Sequence, residues 1–150
     1  MKKLKYLKQQ YSNMKRTILI LMIFSIIALN STVAAFEMDN STIPGLNVTE
    51  DIAGAFNESQ VQNKTVAIIY DQESCVYCDI LKDDVLSNAT IQKEMNDKYI
   101  TLLVDINKNP EFAASHKVLG TPTVEFIDSA GKEINRIDGY VDSEEFLKEI

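Results

Sequence analysis

Thr65-Val66-Ala67-Ile68-Ile69-Tyr70, followed a few residues later by Cys75-Val76-Tyr77-Cys78, is the stretch that decides the fold. The first six residues are an unbroken apolar run of strand length, rich in the branched residues that suit a buried strand. Beyond the cysteines, Leu81, Val85 and Leu86 fall on one side of a helical pattern. A strand end, a short loop and a helix start therefore converge on the two sulfurs. They are the chain's only cysteines, and two intervening residues is the spacing a reversible disulfide needs. At that loop Cys75 lies at the positive end of a helix dipole, where thiolate is favoured and the sulfur becomes nucleophilic. Cys78, one helical turn on, is placed to attack back. As a structural staple the bridge would be poor, because so short a loop removes little unfolded-state entropy.

Working outward toward the N terminus, Thr49 suits a helix cap, with Glu50 and Asp51 in the first turn and Ile52, Ala55 and Phe56 on one stripe. That helix is expected to end near Asn63. Phe36 to Val48 carries Pro44, Gly45 and polar residues without periodicity and has the character of a linker. Before it, Lys2, Lys3, Lys5, Lys8, Lys15 and Arg16 precede an apolar run from Ile18 to Leu29, the plan of an export segment. Val33-Ala34-Ala35 supplies small residues for cleavage before Phe36. Thr17 to Phe36 is also long enough, at about 20 residues, for an uncleaved anchor. Met14 would give a more compact start. The expected division is residues 1–35 as signal peptide or N-terminal membrane anchor, 36–48 as linker and 49–150 as one folded domain. In either case the cations stay in the cytoplasm and the rest crosses. The domain is then extracytoplasmic, secreted or periplasm-like, or tethered to the outer face of the cytoplasmic membrane.

Without those six cations, nine Lys and Arg face 22 acids, a net charge of −13 against −7 for the whole chain. So acidic a surface argues against nucleic acid and anionic lipid as partners. Membrane contact is expected only through the N-terminal segment. Asn-x-Ser/Thr triplets at Asn40, Asn47, Asn57, Asn63 and Asn88 are a weak signal in an Asn-rich chain.

Toward the C terminus, Asn88 suits the cap of a helix with Ile91, Met95 and Tyr99 at helical spacing. Ile100 to Val104 follows as a second apolar strand. Two apolar strands separated by helix predict parallel neighbours buried on both faces. Pro110 fits the first turn of a short helix with Phe112, Ala113 and Ala114. Thr123 to Ile127 and Glu133 to Ile137, joined by a Gly-containing turn, predict an antiparallel hairpin. Asp142 with Glu145 forms a capping box for a last helix bearing Phe146, Leu147 and Ile150.

The order helix, strand, helix, strand, helix, hairpin, helix, with the cysteine pair after the first strand, resembles the thioredoxin superfamily. Within it, the chain is most similar to exported thioredoxin-like thiol:disulfide oxidoreductases whose motif has Tyr before the second cysteine. Coverage runs from about Thr49 to Ile150. Gly120-Thr121-Pro122-Thr123, some 44 residues after Cys78, stands where that family places a cis-proline facing its disulfide. Asp128-Ser129-Ala130-Gly131-Lys132 resembles the family's hairpin turn, and Gly139-Tyr140 its glycine before the last helix. The resemblance implies an α/β thioredoxin-like fold, with a central mixed sheet of parallel strands plus a C-terminal antiparallel hairpin, flanked by helices. It implies a Cys75/Cys78 redox pair and substrate binding at Thr121, Pro122 and Tyr77, where an extended segment pairs as an added strand. Cys75 attacks a substrate disulfide and Cys78 displaces the reduced product. The expected partners are protein thiols and disulfides and an unidentified electron donor, with a monomeric domain and no cofactor.

The chain departs from thioredoxin proper in three places. Ile69 stands where thioredoxin has a buried aspartate, Ser74 precedes Cys75, and there is no tryptophan. Glu73, Asp71 or water remain as substitutes for the missing acid. Asp71, Glu73 and Asp79 surround a loop without Lys or Arg; such negative charge opposes the helix dipole and points to a reducing or isomerising direction. A metal site is not expected, since tetrahedral zinc wants four ligands and the single histidine, His116, lies in another helix, where a solvated role is expected. A non-catalytic binding or chaperone module on the same fold is the alternative, but a pure binder needs neither cysteine.

Overall fold

The computed structural model describes residues 43–150. The expectations for residues 1–35, and for most of the linker, lie outside the described residues. Five strands form one sheet in the order β1-β3-β2-β4-β5, with β1 at Val48–Thr49, β2 at Thr65–Asp71, β3 at Tyr99–Asp105, β4 at Thr123–Ile127 and β5 at Glu133–Asp138. β2 is central: it runs parallel to β3 from Thr65↔Tyr99 to Asp71↔Asp105, and antiparallel to β4 from Val66↔Ile127 to Tyr70↔Thr123. The β4–β5 hairpin completes the mixed sheet.

Successive residues of β2 point to opposite faces, and both faces are covered, so apolar residues follow one another without polar alternation. On one side Ala67 and Ile69 join Leu103, Val124 and Phe126. On the other, Val66, Ile68 and Tyr70 join Ile100, Leu102, Val104 and Ile127. Helix α1 (Ile52–Gln62) and the short α4 (Pro110–Ser115) supply Ala55 and Ala113 to the second face. The first face is closed by the helical segment after the cysteines, by α3 (Ala89–Lys98) and by α5 (Ser143–Glu149), through Leu81, Val85, Ile91, Met95 and Phe146.

Local chemistry explains the element ends. Asn88 caps α3 by accepting the Thr90 and Ile91 N–H groups at 2.9 and 3.4 Å. Asp142 caps α5 by accepting the Glu145 N–H at 2.9 Å. Asn63 closes α1 in the left-handed region at φ 52°, a conformation Asn tolerates. The N-terminal edge differs from the sequence reading. Asp51, not Thr49, caps α1, accepting the Gly54 N–H at 3.0 Å. Thr49 instead extends β1 against β3. The packed region also begins before residue 49, because Ile43 and Leu46 are buried in the first core. Their turn is held on α3: the Gln92 amide donates to the Pro44 carbonyl at 2.7 Å and the Asn96 amide to the Gly45 carbonyl at 3.0 Å. Gly45 sits at φ +88°, and a Cβ there would overlap the Gln92 side chain.

Candidate active site

β2 ends at Asp71, and the loop through Gln72, Glu73 and Ser74 turns the chain into helix α2 (Val76–Ile80). Cys75 occupies the N-cap position, with its sulfur accepting the Cys78 N–H at 3.2 Å. That donor, and the dipole behind it, favour negative charge on the Cys75 sulfur. The two sulfurs are bonded at 2.04 Å across Cα atoms 5.2 Å apart. Cys75 retains 8% of its surface, whereas Cys78 retains 2%. Cys75 is thus the less buried of the pair. After α2 the chain widens into a π-helical segment, Leu81–Leu86, which still buries Leu81, Val85 and Leu86.

Opposite the disulfide, the Thr121–Pro122 peptide is cis. The Thr121 hydroxyl donates to the Cys75 sulfur at 3.3 Å, joining the two parts of the site. Tyr77, with Val76 beside it, is largely exposed, at 61% and 67%. Tyr77, Thr121, Pro122, Gly139 and Tyr140 line a hollow of about 320 Å³ next to the sulfurs. A second hollow of about 270 Å³ continues past Pro122 along Leu119, Gly120 and Asp138. Cys75, Cys78, Tyr77, Thr121 and Pro122 therefore form one patch, although they come from two segments some 40 residues apart in sequence.

Two parts of the site were not legible in the sequence. The first is Lys82, whose ammonium pairs with the Asp71 carboxylate beneath the loop. The loop itself carries no cation, but the helix behind it delivers one. Of the three acids around the motif, Asp71 is thus neutralised in a pair, while Glu73 and Asp79 are exposed. The Asp71 carboxylate and both sulfurs lie within 4.8 Å of one another.

The second is a buried charge cluster on the far face. Glu125, 2% exposed, accepts the Tyr70 hydroxyl at 2.7 Å, meets His116 Nδ1 at 2.9 Å and pairs with Arg136 at 3.0 Å. Arg136 also donates to the His116 carbonyl at 2.9 Å. Burial, reinforced by the Glu125 carboxylate, pushes the Tyr70 phenol far above its ordinary range. The hydrogen bond to Glu133 raises Arg136 further and holds Glu133 below the usual carboxylate value. His116 is therefore not a solvated helix residue. It closes α4, lies against Phe112 with ring centroids 4.3 Å apart, and begins the loop that leads to Thr121. The signal available in the sequence was one acid inside the apolar strand Thr-Val-Glu-Phe-Ile, which needs buried partners if that strand is covered on both faces.

The sequence matches the family model for the thioredoxin-like domain over residues 52–150. The chain belongs to the thioredoxin-like family. Among characterised relatives it is 32% identical over 98 residues to the thiol:disulfide interchange protein DsbD of Yersinia pestis (strain Pestoides F), a match covering 61% of this chain and 16% of that protein. The chain thus spans only about a sixth of the length of this relative. Among solved structures, a thioredoxin from Thermus thermophilus superposes on the thioredoxin-like chain with a TM-score of 0.63 at 27% identity, covering 69% of this chain and 83% of the other. The DsbH oxidoreductase superposes with a TM-score of 0.62 at 21% identity, over 71% and 82% of the two chains, a likeness of fold.

Proposed function

We infer that the chain is a thioredoxin-like thiol:disulfide oxidoreductase that works through Cys75 and Cys78. The observation that carries this reading is the bonded Cys75–Cys78 pair, Cys75 the less buried of the two, with the Thr121 hydroxyl 3.3 Å from the Cys75 sulfur. In the reduced protein, the Cys75 thiolate attacks one sulfur of a substrate disulfide. The substrate's S–S bond breaks, one substrate thiol leaves and Cys75 holds the other in a mixed disulfide. Cys78 then attacks Cys75, the mixed disulfide breaks, and the second substrate thiol departs. Two electrons have moved to the substrate, and an external donor of two electrons restores the dithiol.

Tyr77, Thr121 and Pro122 line the hollow beside the sulfurs and are the substrate-binding residues of this reading. Their backbone and rings suit an extended polypeptide laid past Cys75. The direction of use is reducing or isomerising. The supporting feature is that Glu73 and Asp79 remain as exposed acids near the loop. Substrates are protein disulfides outside the cytoplasm, reached because the N-terminal segment carries the domain across the membrane. The test is reduction of a disulfide-bonded peptide by the full-length protein with excess dithiothreitol as donor. Cys75→Ser should drop the rate to that of dithiothreitol alone; a variant as fast as the wild type would remove the enzyme reading.

A further inference from the structure

Resolution of the mixed disulfide requires Cys78 to lose its thiol proton, yet Cys78 is the more buried of the two cysteines. A thiolate must form where water is scarce, so an acceptor close by matters. Glu73 and Asp79 point into solvent, and His116 is engaged by Glu125 on the far face of the sheet. Ile69 occupies the strand position from which thioredoxin supplies its acid, and it offers none. Asp71 is different. Its carboxylate lies within 4.8 Å of both sulfurs, a gap that one water spans.

The carboxylate is also held. Asp71 Oδ1 accepts the Gln72 N–H at 2.8 Å, and Oδ2 pairs with Lys82. Lys82 lies four residues after Cys78 on the same helical segment, so the helix that presents the second sulfur also carries the cation that aims the acid. The pair has no net charge, and Asp71 therefore stands beside the sulfurs without the full repulsion that a lone carboxylate would exert on a thiolate.

We propose that Asp71, positioned by Lys82, accepts the proton of Cys78 through one bridging water when the mixed disulfide is resolved. The proposal rests on the thiol–disulfide exchange reading above. In the step itself, the S–H bond of Cys78 breaks and its proton passes to the Asp71 carboxylate. The sulfur's electron pair forms the Cys78–Cys75 bond as the bond between Cys75 and the substrate sulfur breaks. The substrate leaves as thiolate and takes a proton from Asp71 or solvent. No electrons enter beyond those of the two protein thiols. Lys82 is a positioning residue, since it touches the acid and not the sulfurs.

The test uses the reduced full-length protein and a symmetric chromogenic aromatic disulfide in single turnover. Attack by Cys75 releases one coloured thiolate, and attack by Cys78 on the resulting mixed disulfide releases the second. Asp71→Asn keeps the side-chain shape. In that variant the second phase should fall about a hundredfold near neutral pH, the scale of one general base, and then climb about tenfold per pH unit as hydroxide replaces the carboxylate. The first phase should change far less, and Asp71→Glu should recover at least a tenfold part of the loss. A second phase in Asp71→Asn with the wild-type rate and pH dependence would overturn the proposal, as would an Asp71→Glu variant no faster than Asp71→Asn. Absence of both phases in the wild type would instead overturn the oxidoreductase reading, so the two failures are distinguishable.

Discussion

At the scale of single residues, the chemistry turns on what surrounds two sulfur atoms. The Cys75 sulfur receives the Cys78 N–H and the Thr121 hydroxyl, both of which favour its charged form once the disulfide opens. Thr121→Val keeps the shape and removes the hydroxyl. If that hydrogen bond contributes about 1 kcal/mol, alkylation of Cys75 by iodoacetamide near neutral pH should slow roughly fivefold. An unchanged rate would show that Thr121 does not act on the sulfur. The cysteines were legible because their spacing carries a mechanism, and Thr121-Pro122 was legible through a family resemblance. The Asp71–Lys82 pair was not, because Lys82 lies outside the motif and reaches Asp71 only when the helix folds back over the strand end. Sequence alone left Glu73, Asp71 and water as equals; in the fold the Asp71 carboxylate lies within 4.8 Å of both sulfurs, while Glu73 is exposed.

At the scale of elements, boundaries with a capping residue or a left-handed stop were readable, as at Asn63, Asn88 and Asp142. The start of the domain was not. A two-residue strand, Val48–Thr49, has too little pattern to register, and the turn before it is held by side chains of α3 that lie more than 40 residues away in sequence. The π-helical segment was hidden for a related reason: Leu81, Val85 and Leu86 fit the buried face of either an ordinary or a widened helix. The charge cluster around Glu125 links β2, β4, β5 and the end of α4, and α4 leads into the loop that presents Thr121 to Cys75. Glu125→Ala leaves the Arg136 guanidinium and the Tyr70 hydroxyl without their shared acceptor. Urea denaturation should register a loss of about 3 to 5 kcal/mol, the cost of breaking a buried ion pair from one side. A loss below about 1 kcal/mol would mean that solvent replaces the carboxylate and that the cluster is not the tie described.

At the scale of the whole molecule, alternation of strands and helices with two apolar strands before a hairpin determined the class of fold, since each strand's pattern implied a sheet covered on both faces. What the pattern did not reveal is how the second face tolerates an acid, which requires knowing that Tyr70, His116 and Arg136 converge there. The sheet places Asp71 and Cys75 at the end of its central strand and turns Pro122, at the start of the neighbouring antiparallel strand, toward them. In the proposed mechanism a disulfide is met by Cys75 first and by Cys78 second. The most direct test of that order is the covalent intermediate. Reduced Cys78→Ser, mixed with a disulfide-bonded peptide and examined by mass spectrometry, should carry one peptide bonded to Cys75. Cys75→Ser should carry almost none. Equal adducts on the two variants, or an adduct only through Cys78, would contradict the account.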